Sequence, residues 1–153
     1  MSLFEDVGDF HRKFGLPRTG EVPLRYVPES EFRYRLNFIQ EEINELFEAY
    51  YNQDMAKIAD ALADVVWVTL GTAHHFGIPF DAVWAEVVRA NMSKVRATGA
   101  DDPRSTRKNA LDVVKPVGWV PPNIEGALRD GLVGSQIHAA SRAGGGLVEG
   151  PVD

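Results

Sequence analysis

The first 95 residues of the chain alternate between apolar stripes at helical spacing and short breaks. In residues 3–14 the apolar side chains recur every three or four positions, and Gly15 and Pro17 follow directly. The pattern therefore predicts a short amphipathic helix that ends there. Residues 16–28 contain several prolines and no periodicity, which is typical of a surface connection.

Two long helices are predicted next. Residues 31–51, with Ser30 as the candidate N-cap residue, carry one apolar stripe made of Phe32, Leu36, Ile39, Ile43, Phe47 and Tyr50. A brief turn at Asn52 and Gln53 separates this stretch from residues 55–76, whose helical pattern ends at Gly77 and Pro79. We expect the two long helices to pack antiparallel.

A fourth helix is predicted from Phe80 to about Lys94, and its start is marked by Pro79 or Asp81. Short connections between long helices favour a bundle. The sequence thus predicts an all-α fold with a four-helix-bundle core and an irregular C-terminal segment.

Beyond Arg96 the periodicity stops. Residues 99–106 are typical of a loop, and residues 115–122 contain too many prolines for a helix interior. Asn123 is a candidate cap for a short last helix that runs through Leu128. We therefore expect one domain over residues 1–128 and a partly disordered tail over residues 129–153, whose last residues are rich in glycine.

Composition narrows the possible functions. Sixteen basic against twenty-two acidic residues give a net charge of −6, which offers no broad surface for nucleic acid. No apolar run approaches the roughly 20 residues that a membrane helix needs, and the acidic amino terminus is unlike a secretory signal. We expect a cytoplasmic protein without a membrane partner. Because the chain has no cysteine, a metal ion would be held by oxygen or imidazole.

Five acidic residues stand out on the two long helices. Glu41, Glu42 and Glu45 form an E-E-x-x-E pattern, and Asp60 and Asp64 repeat the four-residue spacing on the next helix. In an antiparallel pair these carboxylates converge, and a divalent cation such as Mg²⁺ or Mn²⁺ would offset their repulsion. Acids at helical spacing are more often a solvated face. A metal site is nevertheless favoured here, since Lys57 is the only lysine, and no arginine occurs, between Arg35 and Arg89.

Four sequence motifs together resemble those of a known family. The chain carries E-E-I-N-E at 41–45, L-A-D-V-V-W at 62–67, R-A-N-M-S-K at 89–94 and K-P-V-G-W-V-P-P at 115–122. In this order they resemble the MazG-like all-α nucleoside triphosphate pyrophosphatases, a group that includes dimeric dUTPases and phosphoribosyl-ATP pyrophosphohydrolase. The resemblance covers roughly residues 3–128. It implies a four-helix core assembled as a homodimer or homotetramer, and magnesium-dependent cleavage of a nucleoside triphosphate into the monophosphate and pyrophosphate.

The resemblance also implies roles for the acids. By motif, Glu41, Glu45 and Asp64 look like metal ligands, and Glu42 is the candidate base for the attacking water. The family commonly has a glutamate three residues before the aspartate, where this chain has Ala61. Asp60 is the substitute, and the sequence leaves open whether it would bind the ion directly or through water.

Three further residues are candidates for substrate binding. Asn91 and Lys94 near the end of the fourth helix, and Lys115 before a rigid proline-containing segment, match motif positions that would hold phosphate oxygens or ribose hydroxyls. The alternative for Lys94 is a residue that complements the helix dipole. Other conspicuous side chains favour packing or surface roles: His74, His75, Trp67, Trp84, Trp119 and the basic loop residues Arg104, Arg107 and Lys108.

The sequence leaves the substrate open between dUTP, dCTP and a damaged nucleotide. Within enzymes the second hypothesis is a phosphoribosyl-ATP pyrophosphohydrolase. A catalytically silent helical dimer that binds nucleotides or a protein partner is the third, and the departure at Ala61 keeps it open.

Overall fold

The computed structural model describes residues 2–109 and 111–132 and confirms an all-α fold. Its helices are α1 (Leu3–Phe14), α2 (Glu29–Tyr51), α3 (Met55–Phe76), α4 (Phe80–Met92) and a last helical segment, α5, over residues 124–132. Two short strands, β1 (Val95–Arg96) and β2 (Val113–Val114), form an antiparallel ladder that we did not predict. Residues 133–153, where we predicted a disordered tail, lie outside the described residues.

Local capping explains most of the helix ends. The Ser2 hydroxyl accepts a hydrogen bond from the backbone of Glu5, and the Asp54 carboxylate accepts one from the backbone of Lys57 at the start of α3. Gly77 ends α3 in the left-handed conformation with φ +68°. The prediction of Ser30 as the N-cap of α2 is wrong, because the helix begins directly after Pro28 without a side-chain cap. The fixed φ of that proline suits a helix start, so Ser30 falls within the first turn.

Helices α2 and α3 form the most extensive helix–helix contact and run antiparallel, as predicted. Near its start, α2 meets the end of α3, where the Arg35 guanidinium donates to the Val68 carbonyl at 2.8 Å and the rings of Phe32 and Phe76 lie 6.1 Å apart. Helix α1 packs on the same end of α3. The small apolar core there consists of Phe4, Val7, Leu70 and Ala73, with Ile78 and Phe80 against it.

Beside this apolar core lies a buried polar cluster, which we call the polar junction: His11, Arg35, His74, His75 and their partners Glu31 and Thr72. The backbone N–H of Thr19 donates to Nδ1 of His74 at 3.2 Å, so Nε2 of the same ring donates to the Phe4 carbonyl at 3.0 Å. Burial lowers the pKa of His74 to about 4 and also lowers the pKa of His11. The predicted packing role of the histidine pair is confirmed, since both rings are buried between helices.

A close helix contact makes room for the arginine of this junction. Gly71 lies on α3 opposite Arg35, and a Cβ atom at that position would stand 2.8 Å from Nη2 of the guanidinium. The lack of a side chain at residue 71 therefore leaves room for the hydrogen bonds from Arg35 to Val68 and Thr72.

The segment between the two strands is held by two buried aspartates. Asp102 accepts hydrogen bonds from Thr98 and from the backbone and guanidinium of Arg104. Asp112 accepts from the Ser105 hydroxyl and the Arg107 guanidinium. These donors lower the pKa of both carboxyls. The predicted loop is thus present, but two of its arginines are already paired within it.

None of the helices in the described part of the chain has the length and apolar character that a membrane crossing requires.

Candidate active site

The five predicted acids lie where the middle of α2 passes the first half of α3. The turn at residues 52–54 reverses the chain, so the E-E-x-x-E segment of α2 faces the start of α3. Glu42 and Asp64 are half-buried, whereas Glu41, Glu45 and Asp60 are exposed. The acids therefore border the helix interface and also remain accessible from solvent.

Electrostatic coupling shows that the acids form one group. The pKa of Glu42 is raised, first by burial and then by the negative charges of Glu45, Asp64, Glu41 and Asp60, in that order. Glu42 lies at the centre of this group, which we call the acid cluster. The structure thus brings together all five carboxylates selected from the sequence.

The acid cluster lacks basic partners. Over residues 2–109 and 111–132, none of its five carboxylates takes part in an ion pair or a side-chain hydrogen bond. Lys57, the nearest lysine in sequence, lies along an open groove on α3 together with Asp60, Ala56, Ala59 and Ala63. The repulsion among the acids is consequently not offset by the described chain itself.

Carboxylate oxygens are the donors that Mg²⁺ and Mn²⁺ prefer, so the chemistry of the acid cluster fits such an ion. The side chains are not yet gathered at metal-binding distance: among the described residues, no three acidic, histidine or cysteine side chains form a group that could hold an ion. Binding would therefore require rotation of the exposed glutamates Glu41 and Glu45. Their freedom in solvent makes that rotation inexpensive.

The departure from the family pattern at Ala61 has a structural counterpart. Ala61 is only 3% exposed, and with Val68 it lies on the stripe of α3 that packs in the helix pair. A glutamate there would have to enter the packed interface. Asp60 lies on the exposed flank of the same turn, so it is the acid available beside Asp64.

The predicted substrate-binding residues meet at the end of α4. Asn91 is exposed in the last turn of the helix, and the indole N–H of Trp119 donates to the neighbouring Ala90 carbonyl at 2.8 Å. The Lys115 ammonium lies 4.4 Å from the centre of the Trp119 ring. Since Val95 pairs with Val114, Lys94 stands opposite Lys115 at the end of the ladder. This arrangement confirms the predicted packing role of Trp119.

Sequence reasoning missed the residues that fix the C-terminal segment on α4. Glu86 accepts hydrogen bonds from the Arg89 guanidinium and from the backbone N–H of Asn123. Arg89 also donates to the Pro121 carbonyl. The i, i+3 spacing of Glu86 and Arg89 was a visible signal, but their partners lie more than thirty residues away.

Comparisons with known proteins identify the family of the chain. A family model described as phosphoribosyl-ATP pyrophosphohydrolase matches residues 7–91, more than half of the chain. The matched stretch contains the acid cluster and Asn91, and it ends before Lys94 and Lys115. The chain is also similar to "Uncharacterized protein L479" of Acanthamoeba polyphaga mimivirus, with 32% identity over 80 residues. That alignment covers 51% of this chain and 32% of the viral protein, so the chain spans about a third of its relative's length.

Proposed function

The chain belongs to the phosphoribosyl-ATP pyrophosphohydrolase family, and from this membership we propose that it is a magnesium-dependent pyrophosphohydrolase acting on a nucleoside triphosphate. The products would be the nucleoside monophosphate and pyrophosphate. The family match confirms the resemblance to MazG-like pyrophosphatases seen in the sequence. Among substrates of this type, dUTP, dCTP and a damaged nucleotide are the ones we propose to examine first.

One observation carries the proposal: four carboxylates lie around the half-buried Glu42, and none of the five acids has a basic partner among the described residues. A cluster of like charges stores repulsion that a cation would relieve. Acids on a merely solvated face would spread apart or pair with lysines at i, i+4. Among the described residues the five acids have no such lysine partner, and the charges of the other four still raise the pKa of Glu42.

The proposed chemistry assigns a task to each group. Glu41, Glu45 and Asp64 would hold Mg²⁺ or Mn²⁺, with Asp60 as a further ligand either directly or through water. When bound, the ion supplies positive charge against the phosphate oxygens and orients water. The carboxylate of Glu42 would accept the proton of the water that attacks the α-phosphorus. The bond from that phosphorus to the bridging oxygen then breaks, and pyrophosphate leaves.

The residues at the end of α4 would bind the substrate. Lys94 and Lys115 carry positive charges that suit phosphate oxygens, and Asn91 can donate to a phosphate or a ribose hydroxyl. No hydrogen bond or ion pair in the described chain joins them to the acid cluster. In the proposed complex a triphosphate would span both groups, with its reacting phosphorus at the acid cluster.

We also propose that the chain assembles as a homodimer or homotetramer. Large apolar side chains of α2, α3 and α4 remain exposed in the single chain by 39% to 59% of their area, namely Leu36, Phe47, Leu62, Val66, Trp67, Trp84 and Val88. Exposed large apolar side chains in this number are typical of a chain that associates with another copy. Light scattering at micromolar concentration should give at least twice the mass of 16.9 kDa. A monomer mass would contradict the proposal.

The decisive experiment is a substrate panel with magnesium that measures monophosphate and pyrophosphate together. The panel contains dUTP, dCTP, the common nucleoside triphosphates and phosphoribosyl-ATP. Phosphoribosyl-ATP is the second candidate substrate, because the family description names it. Inorganic phosphate in place of pyrophosphate would overturn the proposed cleavage position, and nucleotide binding without any product would favour the silent dimer.

Glu42→Gln tests the proposed base. The variant keeps the shape of the side chain, so nucleotide affinity should stay within about twofold while turnover falls by ~10²-fold or more. Glu48→Gln is the matched control, since Glu48 is an exposed glutamate on the same helix outside the acid cluster. Equal turnover of the two variants would exclude Glu42 as the base.

A further inference from the structure

The ladder between β1 and β2 has two unlike sides. Side chains alternate between the sides of a ladder, and the register places Arg96 opposite Val113 and Val95 opposite Val114. The backbone N–H of Ala97 donates to the Asp112 carbonyl and extends the ladder by one pair. On one side Ala97, Asp112 and Val114 are buried, and Val95 at the end is 41% exposed.

The other side of the ladder carries positive charge. It presents Lys94, Arg96 and Lys115 around Val113, a set that we call the cationic face. Lys94 directly precedes β1 and Lys115 directly follows β2. If the register is continued by one residue, Arg96 lies about 7 Å from Lys94 and diagonally across from Lys115. Long side chains at these separations can converge on one ligand.

The three cations of this face lack ion-pair partners among the described residues, unlike three arginines nearby in the sequence. Arg89, Arg104 and Arg107 are paired with Glu86, Asp102 and Asp112. Within the described ranges, neither Arg96 nor the two lysines of the cationic face take part in an ion pair. Three unpaired like charges on one small surface repel one another, and a polyanion would remove that repulsion.

Hydrogen bonds hold the ladder that carries the cationic face. Asp112 receives the Ser105 hydroxyl at 2.8 Å and the Arg107 guanidinium at 2.7 Å, which holds the end of β2. Trp119 joins the segment after β2 to α4 through the Ala90 carbonyl. The three cations therefore project from a braced ladder, which reduces the conformational entropy lost on binding.

We infer that Arg96 is a third phosphate-binding residue and that the cationic face binds the polyphosphate tail of the substrate. The assignment of this ligand as a substrate rests on the proposed function. A guanidinium forms two parallel hydrogen bonds to a phosphate, which adds direction to the point charges of the lysines. Three cations on a chain of net charge −6 suit a short polyphosphate better than a long nucleic acid.

The test is calorimetric titration with inorganic triphosphate in the absence of metal. Arg96→Gln should weaken binding about tenfold, the size of one lost charge-assisted contact, and should reduce its dependence on salt. Arg33→Gln is the matched control, because Arg33 is an exposed arginine that pairs with Glu29 at the start of α2. It should change the affinity less than twofold. Both variants should melt within about 2 °C of the wild type.

Arg96→Lys keeps the positive charge but not the two parallel hydrogen bonds of a guanidinium. Its affinity for triphosphate should therefore lie between those of the wild type and Arg96→Gln. Equal triphosphate affinity in the wild type and Arg96→Gln would overturn the inference, as would undetectable binding by the wild type. Tighter binding of a single-stranded oligonucleotide than of triphosphate, weakened by the same substitution, would identify a nucleic-acid surface and also overturn it.

The binding measurement does not depend on whether the protein hydrolyses nucleotides. If Arg96→Gln weakens triphosphate binding while the wild type releases no pyrophosphate from any nucleotide, the proposed function fails and the anion site stands. If nucleotides are hydrolysed but Arg96→Gln binds triphosphate normally, the proposed function stands and this inference fails.

Discussion

The polar junction and the acid cluster lie on the same antiparallel helix pair but differ in the burial and the pairing of their polar side chains. At the junction, His74 and Arg35 are 2% and 7% exposed, and each has partners on a neighbouring segment. In the acid cluster three of the five carboxylates are exposed, and none is paired within the described chain. One end of the pair is therefore built for stability, and the other keeps uncompensated charge.

The cost of burial explains the division. A buried polar group without a hydrogen bond costs about 1–3 kcal/mol, and no buried side-chain nitrogen or oxygen in the described residues lacks a partner. Glu41, Glu45 and Asp60 avoid this cost by remaining exposed to water, whereas Glu42 and Asp64 are half-buried. Since unsatisfied charge is available to a ligand, this difference is the reason for proposing the acid cluster as the functional end.

The largest expected effect is the loss of activity at the acid cluster. Glu45→Ala or Asp64→Ala should abolish magnesium-dependent release of pyrophosphate, because each removes a proposed ligand. The melting temperature should be unchanged or higher, because a repelling charge is lost. Glu48→Ala serves as the control and should retain activity. Near-normal turnover of the Asp64 variant would remove that residue from the site.

The junction should respond to pH rather than to metal. Below about pH 6.5 the unfolded chain protonates His74, whereas the folded chain keeps it neutral down to a pKa of about 4. The unfolded state then binds more protons, so the free energy of unfolding falls as the pH drops from 6.5 to 4, by up to about 3 kcal/mol. Denaturant titrations at several pH values measure this loss. In His74→Gln the slope should flatten, and an unchanged slope would assign the effect to other groups.

A smaller effect on the free energy of unfolding is expected for Arg35, and it can be compared with that of Arg33 on the same helix. Arg35→Ala removes a buried side chain that bonds Val68 and Thr72, and should lower the free energy of unfolding by about 2 kcal/mol. Arg33→Ala removes only an exposed pair with Glu29 and should cost less than about 0.5 kcal/mol. Chemical denaturation provides both values. Similar losses in the two variants would show that the junction contributes no more than a surface pair.

The smallest effect concerns Asp60. Asp60→Asn should raise the magnesium concentration for half-maximal rate severalfold while the rate at saturation changes little, because a proposed ligand is weakened but retained in shape. An unchanged half-maximal concentration would make Asp60 a solvated acid. Ala61→Glu should lower stability, because residue 61 is buried in the helix pair.

Much of this fold is predictable from local sequence. The bounds of α1 and α3 agree with the structure because apolar periodicity and left-handed glycines at Gly15 and Gly77 are local signals. The convergence of the five acids also follows from sequence, since a three-residue turn between two long helices forces an antiparallel pair. The predicted N-cap of α2 was wrong. Ser30 has the chemistry of a cap, but Pro28 determines where α2 begins.

Other features depend on contacts that the sequence does not reveal. The sequence pattern of α2 does not show that Arg35 is buried, because the space for its guanidinium lies beside Gly71 on a different helix. The ladder consists of two-residue strands, which are too short to show any period. For the same reason Arg96 carried no signal, whereas Lys94 two residues earlier belonged to a recognisable motif.

The position of the ladder has a consequence for how such proteins diversify. It lies outside residues 7–91, the stretch that the family model matches. Both ends of the intervening loop are tied by the pairing of Val95 with Val114 and Arg96 with Val113. Doubling the length of such a loop costs only about 0.6 kcal/mol in closure entropy. Insertions between residues 98 and 111 can therefore accumulate over generations while the acids on the helices stay in place, so that the loop and the helix pair are free to evolve at different rates.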